Sequence, residues 1–260
     1  MLRALWSGAT GMKAQSQNID VIANNLANVN TTGFKKSKAL FSDLQYEQIK
    51  AAGLNTTADT INPTGIEIGL GVKNSSVIKI FTQGTPEITD RPLDLVIEGE
   101  GFFKVVQGGQ DFYTRNGAFT LNDQGIITTA EGYELDGAFT VGAEAKNINI
   151  GVDGTITSSD GLGVTTEIGR IQLHQFRNPA GLTSKGRSLY IATNASGVPV
   201  AVNPSENGES SILNGSLELS NVQAVEEMVG MIKAQRAYEL NSRSITTADQ
   251  MLQEVNNLKR

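Results

Sequence analysis

Turn-forming residues in this chain are concentrated in its middle. Of the 28 glycines, 24 lie between Gly53 and Gly215, and all six prolines lie between Pro63 and Pro204. Glycine weakens a helix and proline breaks one, so long helices are possible only at the two ends. The middle has to fold as short segments joined by frequent turns. This predicts an α+β chain. Long N- and C-terminal α-helices form a coiled-coil-like inner domain, a central mainly antiparallel β domain follows, and an extended arm connects them.

The apolar periodicity supports both helices. Leu5, Met12, Ile19 and Leu26 recur every seven residues, and Ile22 and Val29 fall three residues after the last two. That is a heptad-like seam. Thr31-Thr32-Gly33 predicts its stop, with Gly33 as a left-handed cap. Toward the C-terminus, Ser220-Asn221-Val222-Gln223 fits a capping box, with Ser220 as the cap. Val222, Val225, Val229 and Ile232 follow at spacings of three and four, and Met231, Tyr238, Ile245 and Leu252 recur every seven. The expected division is an N-terminal helix over residues 1–33, a connecting arm over 34–80, a β domain over 81–215 and a C-terminal helix over 216–260.

The N-terminal helix has a composition that does not favour an isolated helix. Arg3, Lys13 and Asp20 are its only charges, and Asn24, Asn25, Asn28 and Asn30 each cost several tenths of a kcal/mol relative to alanine. Gly8 and Gly11 cost about 1 kcal/mol apiece. The apolar seam therefore needs a partner. One arrangement is an intramolecular hairpin with the C-terminal helix. The other packs each helix among copies of itself, through Leu5, Met12, Ile19, Ile22, Leu26, Val29, Val225, Val229, Ile232, Tyr238, Ile245 and Leu252.

In the middle, Leu95-Val96-Ile97 and Phe102-Phe103-Lys104-Val105-Val106 read as strands. Gly108-Gly109, Asn116-Gly117, Asp123-Gln124-Gly125, Asp136-Gly137 and Asp153-Gly154 read as turns. Ten of the 15 aromatic residues lie between Phe81 and Tyr190, enough to build a core there. The arm opens with Lys35, Lys36 and Lys38, which read as a solvated helix exit. It carries Tyr46, Ile49, Leu54, Ile61, Ile66 and Ile68, side chains that need apolar partners and so argue for an ordered arm over a loose linker.

Catalytic chemistry is hard to find. The chain has no cysteine and one histidine, His174, in an alternating strand pattern that suits a structural residue. No nucleophile elbow, complete phosphate loop or calcium loop is present. No catalytic, cofactor-binding or metal-binding residue is expected. A net charge of -6 makes nucleic acid a poor partner. No run of 18 apolar residues could span a membrane, and no secretory signal precedes the first helix.

Five stretches resemble the axial proteins of the bacterial flagellum, the rod and hook subunits. Ile19-Asp20-Val21-Ile22-Ala23-Asn24-Asn25-Leu26-Ala27-Asn28-Val29-Asn30-Thr31-Thr32-Gly33-Phe34-Lys35 looks like the N-terminal signature of that family. Glu226-Glu227-Met228-Val229-Gly230-Met231-Ile232 with Gln235-Arg236-Ala237-Tyr238-Glu239 looks like its C-terminal one. Gly99-Glu100-Gly101-Phe102-Phe103 and Tyr113-Thr114-Arg115-Asn116-Gly117-Ala118-Phe119 are similar to its β-domain motifs. The stretch from Tyr46 to Val72 is similar to a segment that distal rod subunits carry and hook subunits usually lack.

The resemblance implies a non-enzymatic helical homopolymer, a rigid hollow shaft that transmits torque and conducts exported subunits across the periplasm. The partners it implies are proximal rod subunits, hook or hook-junction subunits, the ring bushings and the flagellar export apparatus, with no cleavable signal peptide. A proximal rod or hook-type axial subunit is the near alternative. A secreted adhesin-like β protein with coiled-coil ends is the distant one, and it leaves the terminal motifs unaccounted for.

Overall fold

The computed structural model describes residues 2–51, 55–57, 60–61, 64–142, 145–160, 165–206 and 210–258. The chain divides into two compact units. One combines Met1–Leu26, Ser37–Ile78 and Gln223–Arg260, and the other combines Ala27–Lys36 with Lys79–Val222.

The first unit holds both long helices, α1 (Leu2–Ala27) and α2 (Ala224–Leu258). They run antiparallel: Gly8 faces Ile245, Gly11 faces Asn241, and Ile22 reaches Gly230. A Cβ at Gly8 would lie 2.9 Å from Ile245, and one at Gly11 2.8 Å from the Asn241 amide. The helix-weakening glycines are thus where side chains of α2 reach the backbone of α1. Asn25, poor for helix propensity, is 1% exposed. Its amide donates to the Ser37 carbonyl at 2.8 Å and to Glu227 at 3.2 Å, and its oxygen accepts from the Ser37 N–H at 2.9 Å. The side chain acts as a strand partner at the helix end.

Residues after the helix are paired, not loose. Strand Ser37–Asp43 pairs with Val72–Lys79, and Tyr46–Lys50 pairs antiparallel with Ile66–Gly69.

The second unit is built on antiparallel sheets. Among the described residues, seven strands of the main sheet lie in the order Phe119–Leu121, Ile127–Thr129, Glu134–Leu135, Phe102–Gln107, Gln110–Thr114, Leu189–Ile191, Thr183–Gly186. Leu173–Gln175 also pairs with Phe102–Gln107, and Val200–Val202 lies beyond it. Gly108 and Gly109, both at positive φ, make the two-residue turn between Phe102–Gln107 and Gln110–Thr114. The core gathers Leu95, Ile97, Phe103, Phe119, Ile156 and Leu173, all at most 1% exposed. A second cluster joins Phe102, Tyr113, Phe176, Leu182 and Tyr190, with edge-to-face rings 4.8–6.0 Å apart.

Two expectations about helix ends are corrected. α1 ends at Ala27, six residues before Gly33, so Gly33 does not cap it. α2 begins at Ala224, so Ser220 does not cap that helix; its hydroxyl accepts from the Val222 N–H at 3.3 Å, a local turn that competes with the capping role.

His174 lies in strand Leu173–Gln175, buried beside the Tyr113 ring at 5.7 Å, with Nδ1 lacking a hydrogen-bond partner. Burial pushes its pKa below the ordinary value of 6.5; Asp136 and Asp111 act upward and Lys104 downward. The unfolded chain therefore takes up this proton more readily than the folded one. Stability should fall as pH drops below about 6.5, with a slope of at most about 1.4 kcal/mol per pH unit for this one proton. Urea unfolding between pH 7 and pH 5 checks this, and His174→Gln should flatten that part of the profile.

Candidate functional site

A protein that works by assembly carries its function on surfaces and anchors. The first unit has such a surface. Along α2, Val225 is 69% exposed, Ile232 57% and Leu240 64%, and Met228, Val229 and Tyr238 are exposed with them. Val225, Met228, Val229 and Ile232 share one face, and an exposed apolar patch of that kind marks an interaction surface. Trp6, on α1, is 70% exposed.

The predicted seam residues thus fall into two groups. Ile22 is buried in this chain, and Leu5, Met12, Ile19, Leu26, Val29, Ile245 and Leu252 are half-buried. Ile22 and Ile245 have partners on the other helix, at Gly230 and Gly8. Val225, Val229, Ile232 and Tyr238 are exposed. In the arm, Tyr46, Ile49, Ile66 and Ile68 are exposed on the paired strands. Leu54 lies outside the described residues, and Ile61 is described only as part of strand Thr60–Ile61.

The second unit holds an anchor that sequence reasoning missed. Lys35 is not part of a solvated helix exit: it is 0% exposed. Its ammonium donates to Glu218 at 2.5 Å and to the Thr82 carbonyl at 2.7 Å. Glu218, in strand Ser216–Glu218, also accepts from the Gly84 N–H at 2.8 Å and lies 3.7 Å from the Arg115 guanidinium. Arg115 is itself buried, donates to the Gly99 carbonyl at 2.8 Å and sits over the Phe102 ring at 5.4 Å. Burial pulls the Lys35 pKa down, and Glu218 opposes that pull; the same balance acts on Arg115.

The backbone closes around this node. The Gly33 N–H donates to the Glu218 carbonyl at 2.8 Å, and the Lys36 N–H donates to the Asn221 side chain at 2.8 Å. Asn221 in turn donates to the Ile80 carbonyl at 2.9 Å. Residues from the stretches Asn30–Lys35, Gly99–Phe103 and Tyr113–Phe119 therefore meet at one place. Gly33 has φ +66, and a Cβ there would lie 2.5 Å from the Asn116 nitrogen. Its glycine is required by a close approach as well as by its backbone conformation. The lysine's role had no local signal: its partner stands 183 residues away.

Among the described residues no group of three His, Asp or Glu side chains is placed to hold a metal ion. Among the same residues no helix is long and apolar enough to cross a membrane.

Three family descriptions match the chain. "Flagella basal body rod protein" covers residues 5–35, "Flagellar hook protein FlgE/F/G D1 domain" covers 96–158, and "Flagellar basal body rod FlgEFG protein C-terminal" covers 213–258. Among similar proteins, the flagellar basal-body rod protein FlgG of Buchnera aphidicola subsp. Schizaphis graminum is 44% identical, over 99% of this chain and 100% of its own length. That of Caulobacter vibrioides is 44% identical with the same coverage. That of Borreliella burgdorferi is 43% identical over the full length of both chains.

Gly33→Ala should destabilise the second unit by roughly 1–3 kcal/mol, since it adds both backbone strain and an overlap with Asn116. A shift in the urea midpoint measures it, and an unchanged midpoint would show that residues 32–35 relax without cost.

Proposed function

The chain belongs to the family of flagellar basal-body rod proteins FlgG, and from that premise we propose that it builds the distal part of the rod, polymerising through its terminal helices into a rigid hollow shaft. It is a structural subunit of the bacterial flagellum and not an enzyme, and it assembles into the rod with other axial subunits. In the proposed arrangement the terminal helices form the inner tube and the β domain of residues 81–215 lies outside. The shaft crosses the periplasm inside the ring bushings. It joins proximal rod subunits at one end and hook or hook-junction subunits at the other. The subunit leaves the cytoplasm through the flagellar export apparatus without a cleavable signal peptide.

The observation that carries this reading is the exposed apolar stripe of α2. Val225, Val229 and Ile232 lie along one face and are 69%, 46% and 57% exposed in the single chain; Tyr238, 40% exposed, lies on the opposite side of the helix. Full burial of each large one is worth roughly 1.5–3 kcal/mol. The proposed occupant is a helix of the next copy, in a heterologous contact that repeats without closing into a ring. Torque then passes through many such contacts in parallel. The strands Tyr46–Lys50 and Ile66–Gly69 present Tyr46, Ile49, Ile66 and Ile68 in the same way. We assign this hairpin to bracing between neighbours, which opposes sliding of one subunit past another and keeps the shaft straight.

Ile232→Asp and Val229→Asp place a charge where only a neighbour would bury it. Rods should disappear while the free subunit keeps its unfolding midpoint within about 0.5 kcal/mol. Ile22→Asp should instead weaken the free subunit, because Ile22 already packs within the chain. Electron microscopy of assembled material and urea unfolding of the monomer separate the two effects; normal rods from Ile232→Asp would defeat the assignment. For the bracing hairpin, deletion of residues 46–69 should yield bent or flexible filaments, and straight rods of unchanged stiffness would remove that role.

A further inference from the structure

The node in the second unit brings two buried cations to one buried carboxylate, Glu218, with Glu100 acting on Arg115 as a lesser influence. Lys35 and Arg115 are both buried, and both face Glu218, at 2.5 Å and 3.7 Å. Each cation also has neutral partners: Lys35 donates to Thr82, and Arg115 to Gly99. Carbonyl groups solvate a charge, but they do not cancel the repulsion between two like charges out of water. Glu218 is the carboxylate that acts on both cations; Glu100 acts on Arg115 after it.

The position of these residues in the chain gives the arrangement a direction. Arg115 belongs to the β structure and is held there by carbonyls of the strand Leu95–Gly99. Lys35 arrives on the segment Ala27–Lys36, which continues from α1. Glu218 arrives on the strand Ser216–Glu218, which leads toward α2. The segment Ala27–Lys36 makes three of its hydrogen bonds to this second arrival: Gly33 N–H to the Glu218 carbonyl, Lys35 to the Glu218 carboxylate, and Lys36 N–H to Asn221. The strand Ser216–Glu218 has its own support, pairing with Pro86–Ile88 and donating nothing to residues 27–36 through that ladder.

We propose that Glu218 is a conditional latch: residues 27–36 dock on the β structure only when strand Ser216–Glu218 is already in place. Without it, docking Lys35 would bring a second cation beside buried Arg115. With it, the same step completes an ion cluster. The segment leading from α1 is therefore never anchored ahead of the strand that leads to α2. A subunit with residues 27–36 docked and strand Ser216–Glu218 loose is not a populated state. This inference concerns the folded single chain and stands or falls independently of rod assembly.

Hydrogen exchange on the full-length monomer tests it. Glu218→Gln keeps the shape and an acceptor oxygen but removes the charge. Exchange at residues 27–36 should rise by at least about tenfold, while strand Phe102–Gln107 keeps its protection. Lys35→Met alone should leave residues 27–36 protected, because Glu218 still has Arg115. The double variant Lys35→Met with Glu218→Gln should restore protection, because the repulsion is gone. Unchanged exchange in Glu218→Gln overturns the latch. So does equal loss of protection across the whole β structure, which would make the node ordinary core stability. Failure of the double variant to recover, or loss in Lys35→Met equal to that in Glu218→Gln, overturns it as well.

Discussion

A carboxylate shut away from water must be compensated by charge and hydrogen bonds, and much of this β unit is arranged to do that for Glu218. Two cations, a backbone N–H and the strand that carries the residue converge on it. Isolated, each of these buried groups would be strongly unfavourable. Together they define a single way for separate parts of the chain to meet. Apolar packing sets the size of the core around Phe103, Phe119 and Leu173, but it is tolerant of small slides. The ion cluster is not, because a displaced lysine leaves a charge uncompensated.

The helices solve a different problem with different residues. Their contact is narrow and polar for a helix pair: glycines allow close approach, Ala14, Ala234 and Ala248 are buried, and Asn25 and Asn241 lie in or beside the contact. Large apolar side chains sit on the outside of α2. This inverts the ordinary plan, in which the largest side chains lie innermost. It is the composition that the proposed assembly calls for, with other copies covering the exposed side chains of α2.

The overall class was legible from where glycine and proline occur. Terminal helices and a mainly antiparallel β middle follow from that distribution, and Gly108-Gly109 marked its hairpin correctly. Helix ends were less legible. Gly33 has the left-handed conformation a cap would have, but the conformation serves a contact with Asn116, which no local pattern reveals. Ser220 and Gln223 match a capping pattern, yet the helix starts one residue after it. The charge node was invisible for a simple reason. Lys35, Arg115 and Glu218 are ordinary surface residues to any local reading, and only tertiary contact makes them a cluster. Asn25 is a weak helix former, as its type implies, and the use of its amide for pairing with a strand has no local signal.

The hairpin of Tyr46–Lys50 and Ile66–Gly69 has exposed side chains on both faces. A two-stranded ladder of that kind has little stability of its own. It also lies between α1 and everything that follows it in the chain. A protease that cuts there detaches α1 from the rest of the polypeptide with a single cleavage. A copy left unassembled would therefore expose a cleavable site, and any neighbour covering the hairpin would lengthen the life of the chain. Selection by survival would then act alongside selection by fit, clearing surplus copies without a dedicated recognition signal.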